Sequence, residues 1–257
     1  AVAIAEQWQA AQQSCAVLYG NCIGKREMPD DHERVTEHLY RVPADVRPLV
    51  PGDEAYNSTR LEMSCPRGID GSPLLFIVPH KGNAKDLSAS QITSENTAAI
   101  CEAISAMQID SVIAVDLGGD SLTGGVDFAG GNLELGRDRQ VLHALTAAGV
   151  PWVHLVCAPG CDGESSIERM QTAVSTADEA GNLLGVMPLD AIMPTMTRLA
   201  STLSPSRTPN IIGAAYAHQT SEASGDALCT ITRHGSTASI PWAWLTVALA
   251  IDPRKGK

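Results

Sequence analysis

The sequence predicts an α/β fold in which a largely parallel sheet is covered by helices on both faces, in a three-layer, Rossmann-like arrangement. Short apolar runs rich in β-branched residues indicate inner strands at Leu74–Val78, Ser111–Val115 and Trp152–Cys157. Segments between these runs have the periodicity of amphipathic helices. Strands that alternate with helices are typical of a parallel sheet with right-handed crossovers.

The composition is that of a globular protein, and we expect one domain over residues 1–257. Hydrophobic residues make up 44% of the chain and charged residues 18%, unlike disordered or fibrous proteins. A net charge of −11 and an aromatic content of 4% argue against nucleic acid as a partner, because phosphates attract cations and bases stack on rings. No apolar run has the length of a membrane span, and the first residues lack the pattern of a signal peptide. We therefore expect a cytoplasmic protein without a membrane partner. Assembly into a homo-oligomer is left as an open alternative.

The seven cysteines are predicted to be reduced thiols. Their spacing does not form the paired knuckles of a zinc site. Cys101 falls in a predicted helix and Cys157 in a predicted strand, where a thiol behaves as a small hydrophobic group. An intracellular setting is consistent with this usage.

The N-terminal region is predicted to begin inside a helix. Good helix formers over Ala1–Gln13 are followed by a strand-like run, Ser14–Tyr19. Because an α/β unit normally begins with a strand, we expect an N-terminal piece to be missing from this sequence. Residues Asn21–Asp53 are rich in charge and proline and predict loops, with Arg34–Arg41 as either a short strand or a ragged helix.

The first strand–helix–strand unit is predicted to follow these loops. Leu74–Val78 is an apolar run bounded by turn residues, and Ser94 is the expected N-cap of a helix over Glu95–Met107. A right-handed crossover would make Leu74–Val78 parallel to Ser111–Val115. The carboxyl ends of the two strands are then expected at one edge of the sheet.

The second half of the chain continues the alternation of strands and helices. A helix over Arg137–Ala148 leads to the strand Trp152–Cys157, and Ser165 with Glu168 predicts a capping box for a helix over Ile167–Ala180. The remaining predicted elements are a helix that begins at Asp190 or Pro194 and ends near Leu203, strands over Asn210–Tyr216 and Leu228–Arg233, and an apolar segment, Trp242–Ile251, that forms either a strand or a helix.

Polar, glycine-bearing turns follow three of the predicted strands, at residues 79–83, 116–121 and 160–164. Ligands of open α/β sheets bind beyond the carboxyl ends of the strands, so we expect these turns to meet at one edge. The side chains expected there are those of His80, Asp116, Asp120 and Asp162. Carboxylates suit a hard divalent cation that bridges to phosphate, and glycine turns with a helix N-terminus suit an anion directly.

The candidate site residues fall into three groups. The predicted metal ligands are Asp116, Asp120 and Glu164, and the cofactor of a metal-dependent site would be Mg²⁺ or another divalent cation. The predicted catalytic residues are His80, Asp120 and Asp162. The predicted ligand-binding residues are Lys81, Gly118, Gly119, Ser121 and Gly163.

These residues predict that the protein binds an anionic, phosphate-bearing small metabolite or nucleotide and hydrolyses it or transfers a group from it. As an enzyme it would be a metal-assisted hydrolase or transferase. One alternative is a non-catalytic metabolite-binding or regulatory subunit, and another is a structural partner in an assembly.

Each candidate residue also has a simpler interpretation. Residues 116–120 can form a solvated turn, and Asp162 with Glu164 can cap the following helix and compensate its dipole. His80 can hydrogen-bond within its own loop. Cys161 precedes a helix, where a thiol pKa falls and a nucleophile can arise, although an incidental loop cysteine is the simpler interpretation.

Three motifs carry a resemblance to a known family. The segments Asp116–Ser121 (DLGGDS), Leu135–Asp138 (LGRD) and Gly160–Glu164 (GCDGE) resemble the pattern of a family catalogued as a domain of unknown function, number eleven fifty-two. The similarity covers most of the chain. The resemblance implies an α/β fold that begins with a strand and a run of glycines followed by Asp. Ala1–Gln13 would then be the helix after a first strand and glycine-rich loop that are missing from this sequence. The resemblance implies no established activity.

Overall fold

The structure is a computed structural model. It describes residues 3–4, 7, 11, 20–22, 33–41, 75–77, 88–124, 137–200, 208–219, 228–233 and 236–255. The chain divides into two compact units, each assembled from two segments. The first unit comprises Ala1–Asp110 and Glu134–Val150, and the second comprises Ser111–Leu133 and Pro151–Lys257. The expectation of one domain over residues 1–257 stays a prediction.

Helices with described bounds occur in both units. They are α1 (Ala89–Ala106), α2 (Asp120–Thr123), α3 (Arg137–Ala148), α4 (Ile167–Glu179), α5 (Met193–Ala200) and α6 (Thr208–Gln219). Residues 3, 4, 7 and 11 are also helical, as predicted for the start of the chain. The helix predicted over Arg137–Ala148 is confirmed at both ends, and the one predicted over Ile167–Ala180 is confirmed to within one residue.

The described strands of the first unit form a four-stranded sheet. They are β1 (Gly20–Cys22), β2 (Glu33–Arg34), β3 (Leu39–Arg41) and β4 (Leu75–Ile77), in the order β1-β4-β3-β2. β4 is parallel to β1 and antiparallel to β3, which is antiparallel to β2. The strand predicted over Leu74–Val78 is therefore confirmed, and Arg34–Arg41 contributes to a hairpin rather than a helix. The strand predicted over Ser14–Tyr19 lies outside the described residues.

The N-terminus of α1 differs from the prediction that Ser94 caps it. The helix begins six positions earlier, after Ser88. The side chain of Ser88 accepts a hydrogen bond from the backbone N–H of Gln91, and the Gln91 side chain accepts one from the Ser88 backbone N–H, at 3.4 and 2.9 Å. This reciprocal capping box satisfies two N–H groups that the first helical turn leaves without acceptors. Ser94 is an exposed residue inside the helix.

The predicted strand–helix–strand unit from Leu74 to Val115 is wrong as a single sheet. β4 belongs to the sheet of the first unit, whereas β5 (Val112–Leu117) belongs to a second sheet. The physical reason is that β1 and β3 occupy both edges of β4, so that no edge of β4 is left for β5. β5 pairs with β6 (Trp152–Cys157) instead.

The larger described sheet of the second unit has the order β5-β6-β10-β7, with β7 at Leu183–Pro188 and β10 at Val247–Ile251. β5 and β6 are parallel, as predicted, while β10 lies antiparallel between β6 and β7. Residues 248–251 of β10 are all buried, as expected of a strand with a neighbour on each side. The predicted α/β class is confirmed, but this sheet is mixed rather than largely parallel.

Other elements of the second unit correct the sequence predictions. The segment Asn210–Tyr216, predicted as a strand, lies within helix α6, whose buried Ile212 and Ala215 have helical spacing. The strand β8 (Leu228–Arg233) is confirmed and forms a hairpin with the unpredicted β9 (Ser236–Pro241). Both alternatives for Trp242–Ile251 are partly right, because a 3₁₀ helix over Trp242–Thr246 leads into β10.

A helix that crosses a membrane needs a long, mostly apolar stretch of sequence. Among the residues that the structure describes, no helix is long and apolar enough to cross a membrane.

Candidate functional site

The exits of β5 and β6 adjoin at one end of the second unit's sheet. β5 ends with Asp116 and Leu117, and Gly118 and Gly119 follow with φ angles of 116° and 95°. The carbonyl of Gly118 accepts a hydrogen bond of 2.6 Å from the amide of Gly160, in the loop after β6. Such positive φ values favour glycine, which allows the sharp turn from the strand into α2. The two strand exits predicted to meet therefore do so.

Asp116 is held by a buried hydrogen-bonded group. The Ser121 hydroxyl, on α2, donates to Oδ2 of Asp116 at 2.5 Å. Nε2 of His154, on β6, lies 3.1 Å from Oγ of Ser121 and 3.9 Å from Oδ2 of Asp116. Ser121 and His154 are each 2% exposed, whereas the Asp116 side chain is 12% exposed. The three residues come from β5, α2 and β6, so the group ties these elements together.

The hydrogen positions in this group follow from simple counting. A serine hydroxyl has one hydrogen, and an ionised carboxylate can only accept. Since the Ser121 hydrogen points to Asp116, the contact between Ser121 and His154 requires a hydrogen on Nε2 of the imidazole. His154 therefore donates to Ser121, which donates to Asp116.

This arrangement differs from a serine–histidine–aspartate hydrolase triad. In a triad the hydroxyl donates to the imidazole, and the carboxylate contacts the other ring nitrogen. Here both Asp116 and His154 contact the hydroxyl of Ser121, which is almost completely buried. The geometry orients the Asp116 carboxylate and does not activate Ser121 as a nucleophile.

Asp120 supplies a second carboxylate next to Asp116. Its Oδ1 accepts a hydrogen bond of 3.0 Å from the backbone N–H of Ser121. One of its carboxylate oxygens lies within 4.8 Å of a carboxylate oxygen of Asp116. Two carboxylates this close repel each other, and a cation bound between them would remove that repulsion. Oxygen ligands of this kind are those that Mg²⁺ and Ca²⁺ prefer.

Asp162 is buried beside Gly118. It is 6% exposed, and its Oδ1 accepts a hydrogen bond of 2.9 Å from the backbone N–H of Glu164. A Cβ atom on Gly118 would lie 2.0 Å from Oδ2 of Asp162, so only glycine permits this approach. The helix that follows is capped by Ser166 rather than by Asp162. Asp162 thus stabilises its own turn, and the simpler interpretation that it caps this helix is wrong.

The predicted glycine ligands are mainly packing positions in the structure. The amide of Gly118 donates to the carbonyl of Cys157, and the amide of Gly163 donates to that of Gly160, at 3.1 and 3.0 Å. A Cβ atom on Gly119 would lie 2.9 Å from side-chain atoms of Met170 and of β6. An anion at this edge would therefore need donors other than the amides of Gly118 and Gly163.

Ser165, predicted to cap α4, instead anchors α2. Its hydroxyl is hydrogen-bonded to that of Thr123, at the end of α2, and Ser165 is completely buried. A second contact comes from α4, where the Arg169 guanidinium donates to the Thr123 carbonyl at 3.0 Å. Ser166 accepts from the Arg169 backbone N–H and is the actual N-cap. These two contacts to Thr123 hold the end of α2, the helix that contains Ser121.

The four described cysteines are free thiols, and two of them are buried. Cys101, Cys157, Cys161 and Cys229 are thiols, and Cys157 and Cys161 are buried. Burial raises the pKa of Cys157 to about 11, and the nearby Asp116 charge acts in the same direction. The thiol of Cys161 is 0% exposed and points to the Cys157 carbonyl at 3.9 Å. The structure therefore favours the simpler interpretation of Cys161 over that of a nucleophile.

Two predicted residues lie outside the described part of the chain, and one important residue was not predicted. His80 and Lys81 are outside the described residues. His154 was overlooked because it lies inside an apolar strand. The sequence contains a signal for it, because His154 is the one strongly polar side chain of Trp152–Cys157. His154 lies two positions before Val156, which is in register with Asp116.

Comparisons with known proteins add a family but no activity. A family model with the description "Protein of unknown function (DUF1152)" matches residues 28–219. This range contains the whole of the group formed by Asp116, Asp120, Ser121 and His154. Comparison with curated proteins and with solved structures gives no match.

Proposed function

We propose the following function for this chain, which belongs to the family described as Protein of unknown function (DUF1152). The protein binds a divalent cation through Asp116 and Asp120 and, through that cation, the phosphate of a small anionic metabolite or nucleotide. The cofactor is Mg²⁺ or an ion of similar size and charge. Because the family description names no activity, the proposal depends on the chemistry of the residues alone.

The observation that carries the proposal is the pair of carboxylates at the end of β5. Oxygens of Asp116 and Asp120 lie within 4.8 Å of each other, and a cation between them would remove their mutual repulsion. Mg²⁺ usually keeps several waters and takes only one or two carboxylates, with substrate phosphate completing its coordination. A pair of aspartates is therefore a sufficient protein contribution.

The position of the pair within the sheet also supports the proposal. Asp116 is the penultimate residue of β5 and Asp120 follows the carboxyl end of that strand, which is parallel to β6. In open α/β sheets, Rossmann-like folds included, ligands bind outside this end of parallel strands. The antiparallel β10 lies on the far side of β6 from β5, so the local β5–β6 arrangement is of the type that the proposal requires.

Hydrolysis or group transfer is the reaction class that we propose to test first, with metal-assisted attack on phosphorus. In that mechanism Glu164 and Asp162 complete the acidic edge beside Asp116 and Asp120. Ser121 and His154 are buried and bonded to each other, which favours the alternative of a non-catalytic metabolite-binding subunit.

The test is calorimetric titration of the full chain with Mn²⁺ alone, which substitutes for Mg²⁺. We expect binding to the wild type and its loss in Asp116→Asn and Asp120→Asn, because each removes a charge without changing shape. Asp178→Asn is the matched control, since Asp178 is an exposed aspartate on α4. Equal Mn²⁺ affinity in all four proteins would refute the cation site.

A second step identifies the anion and separates binding from turnover. Thermal melts with Mn²⁺ and either pyrophosphate or a nucleoside triphosphate should show stabilisation of about 2.7 kcal/mol at 100 times the dissociation constant. Release of inorganic phosphate would support the enzyme, whereas saturable stabilisation without release would support the binding subunit. If Mn²⁺ binds but none of the phosphate compounds adds stabilisation, the phosphate part of the proposal is refuted.

A further inference from the structure

We infer that His154 and Ser121 are positioning residues for Asp116, and that the cation affinity of the site depends on the hydrogen-bond relay from His154 through Ser121 to the Asp116 carboxylate. This inference rests on the proposed function, because it assigns a role to residues behind the proposed ligand. It concerns two buried side chains, one of which sequence analysis did not identify.

The relay has a defined direction. Nε2 of His154 lies 3.1 Å from Oγ of Ser121, whose hydroxyl donates to Oδ2 of Asp116 at 2.5 Å. A relay that ends on a carboxylate fixes the rotamer of that carboxylate and engages one of its oxygens. Asp116 is thus held with Oδ2 toward the interior, which favours coordination of a cation through a single oxygen.

The burial of His154 and Ser121 is difficult to explain by packing alone. Both are 2% exposed, and β6 is otherwise formed by apolar residues. A buried polar group costs stability unless it is hydrogen-bonded, and an aliphatic residue at position 154 would avoid this cost. A role in orienting Asp116 explains why imidazole and hydroxyl groups are placed behind it.

The chain separation of the three residues makes the relay sensitive to the β5–β6 register. Ser121 is five positions from Asp116 and 33 positions from His154. His154 pairs with Ala114 and Val156 pairs with Asp116, which places His154 one strand over and two positions before Asp116. The relay therefore forms only when β5, α2 and β6 are all in place.

Three variants test the relay, with Mn²⁺ alone as the probe and the full chain as the protein. His154→Phe keeps a ring but removes the donor, and Ser121→Ala removes the hydroxyl without adding volume. His154→Gln is the conservative variant, because its side-chain amide can place an N–H near the position of Nε2. Groups that orient metal ligands typically contribute a factor of about 10 to 100 in affinity.

We expect His154→Phe and Ser121→Ala to weaken Mn²⁺ binding by about 10-fold to 100-fold, and His154→Gln to recover most of that loss. In an Asp116→Asn background, adding His154→Phe should cause no further loss, because the oriented ligand is already gone. Melting temperatures in the presence of a chelator report stability separately. A merely structural role would lower these temperatures and leave the Mn²⁺ dissociation constant of the folded protein unchanged.

The outcomes separate this inference from the proposed function. If Asp116→Asn weakens Mn²⁺ binding while Ser121→Ala and a folded His154→Phe bind as the wild type does, the relay is refuted and the cation site stands. If His154→Phe does not fold, Ser121→Ala decides by the same criterion. If the wild type does not bind Mn²⁺ at all, both the relay and the proposed function fail.

Discussion

Gly118 is the single residue on which the geometry of both strand exits depends. Its φ of 116° is unfavourable for residues that carry a Cβ atom. A Cβ atom at this position would also overlap with the Asp162 carboxylate, at 2.0 Å from Oδ2. The carbonyl of Gly118 accepts the hydrogen bond from Gly160 that joins the two exits. Backbone conformation and available space therefore both require glycine here.

We predict that Gly118→Ala is much more destabilising than Gly181→Ala. Gly181 has a φ of 70°, but no atom lies within 4 Å of the point that its Cβ atom would occupy, so that its substitution costs only about 1 to 2 kcal/mol for the left-handed backbone. Gly118→Ala adds an overlap, for which overpacking typically costs a further ~1 to 3 kcal/mol. Urea denaturation of the two variants measures the difference. Equal losses of stability would show that Asp162 moves aside without cost.

At the residue scale, the sequence identifies the carboxylates but not their partners. Asp116 and Asp120 stand out because they flank two glycines directly after an apolar run. The contact between Ser121 and His154 cannot be predicted in this way. It depends on the parallel register of β5 and β6, and register is set by pairing between distant segments.

Helix α1 shows how an N-cap is chosen between two serines. The sequence analysis predicted Ser94 as the N-cap, whereas the structure has Ser88 in that role. The structure uses Ser88 because Gln91, three positions later, completes a capping box. The additional turn places Ile92 in the buried face of the helix, where it is 2% exposed.

We predict opposite effects of the two Ser→Ala substitutions in α1. Ser88→Ala should reduce the free energy of unfolding by about 1 kcal/mol, because the cap is lost. Ser94→Ala should be neutral or slightly stabilising, by no more than about 0.5 kcal/mol, since alanine is the better helix former in an exposed interior position. Chemical denaturation of both variants tests this. A larger loss for Ser94→Ala would place the start of the helix where the sequence analysis had it.

At the element scale, a predicted helix or strand agrees with the structure where its local sequence pattern is distinctive. The strand Trp152–Cys157 and the helix Arg137–Ala148 have clear periodicity and clear boundaries, and both are confirmed. Asn210–Tyr216 is a short apolar run, whose type cannot be decided by periodicity alone. β7 was not predicted from the sequence. Its side chains are apolar but largely exposed in the structure, as at Val186, which is 56% exposed.

At the scale of the whole molecule, the sequence predicts the class of fold better than its topology. Alternating strands and helices correctly indicate an α/β protein. The assignment of β4 and β5 to different sheets, and the place of β10 between β6 and β7, depend on pairing between segments far apart in the chain. Local propensity contains no information on such partners, and the usual preference for sequential pairing points to the wrong ones.

The net charge of −11 leads to a prediction about salt. Self-repulsion spread over a whole protein is screened by salt, with a Debye length of about 3 Å at 1 M. We therefore expect NaCl to raise the melting temperatures of the wild type and of Asp120→Asn to a similar extent. Mn²⁺ should raise that of the wild type in particular, and should still do so in the presence of NaCl. A Mn²⁺ effect that vanishes in about 1 M NaCl would indicate general screening instead of a site.

The central place of β10 has a consequence for biosynthesis. β6 and β7 are translated before β10, although each of them pairs with it. On the ribosome, the backbone groups that face the future position of β10 remain without their final partners while the β8–β9 hairpin and the 3₁₀ helix are made. Open strand edges of this kind are the surfaces through which nascent chains aggregate or bind chaperones. In this sheet, the strand that lies between β6 and β7 is thus the last of the four to be synthesised.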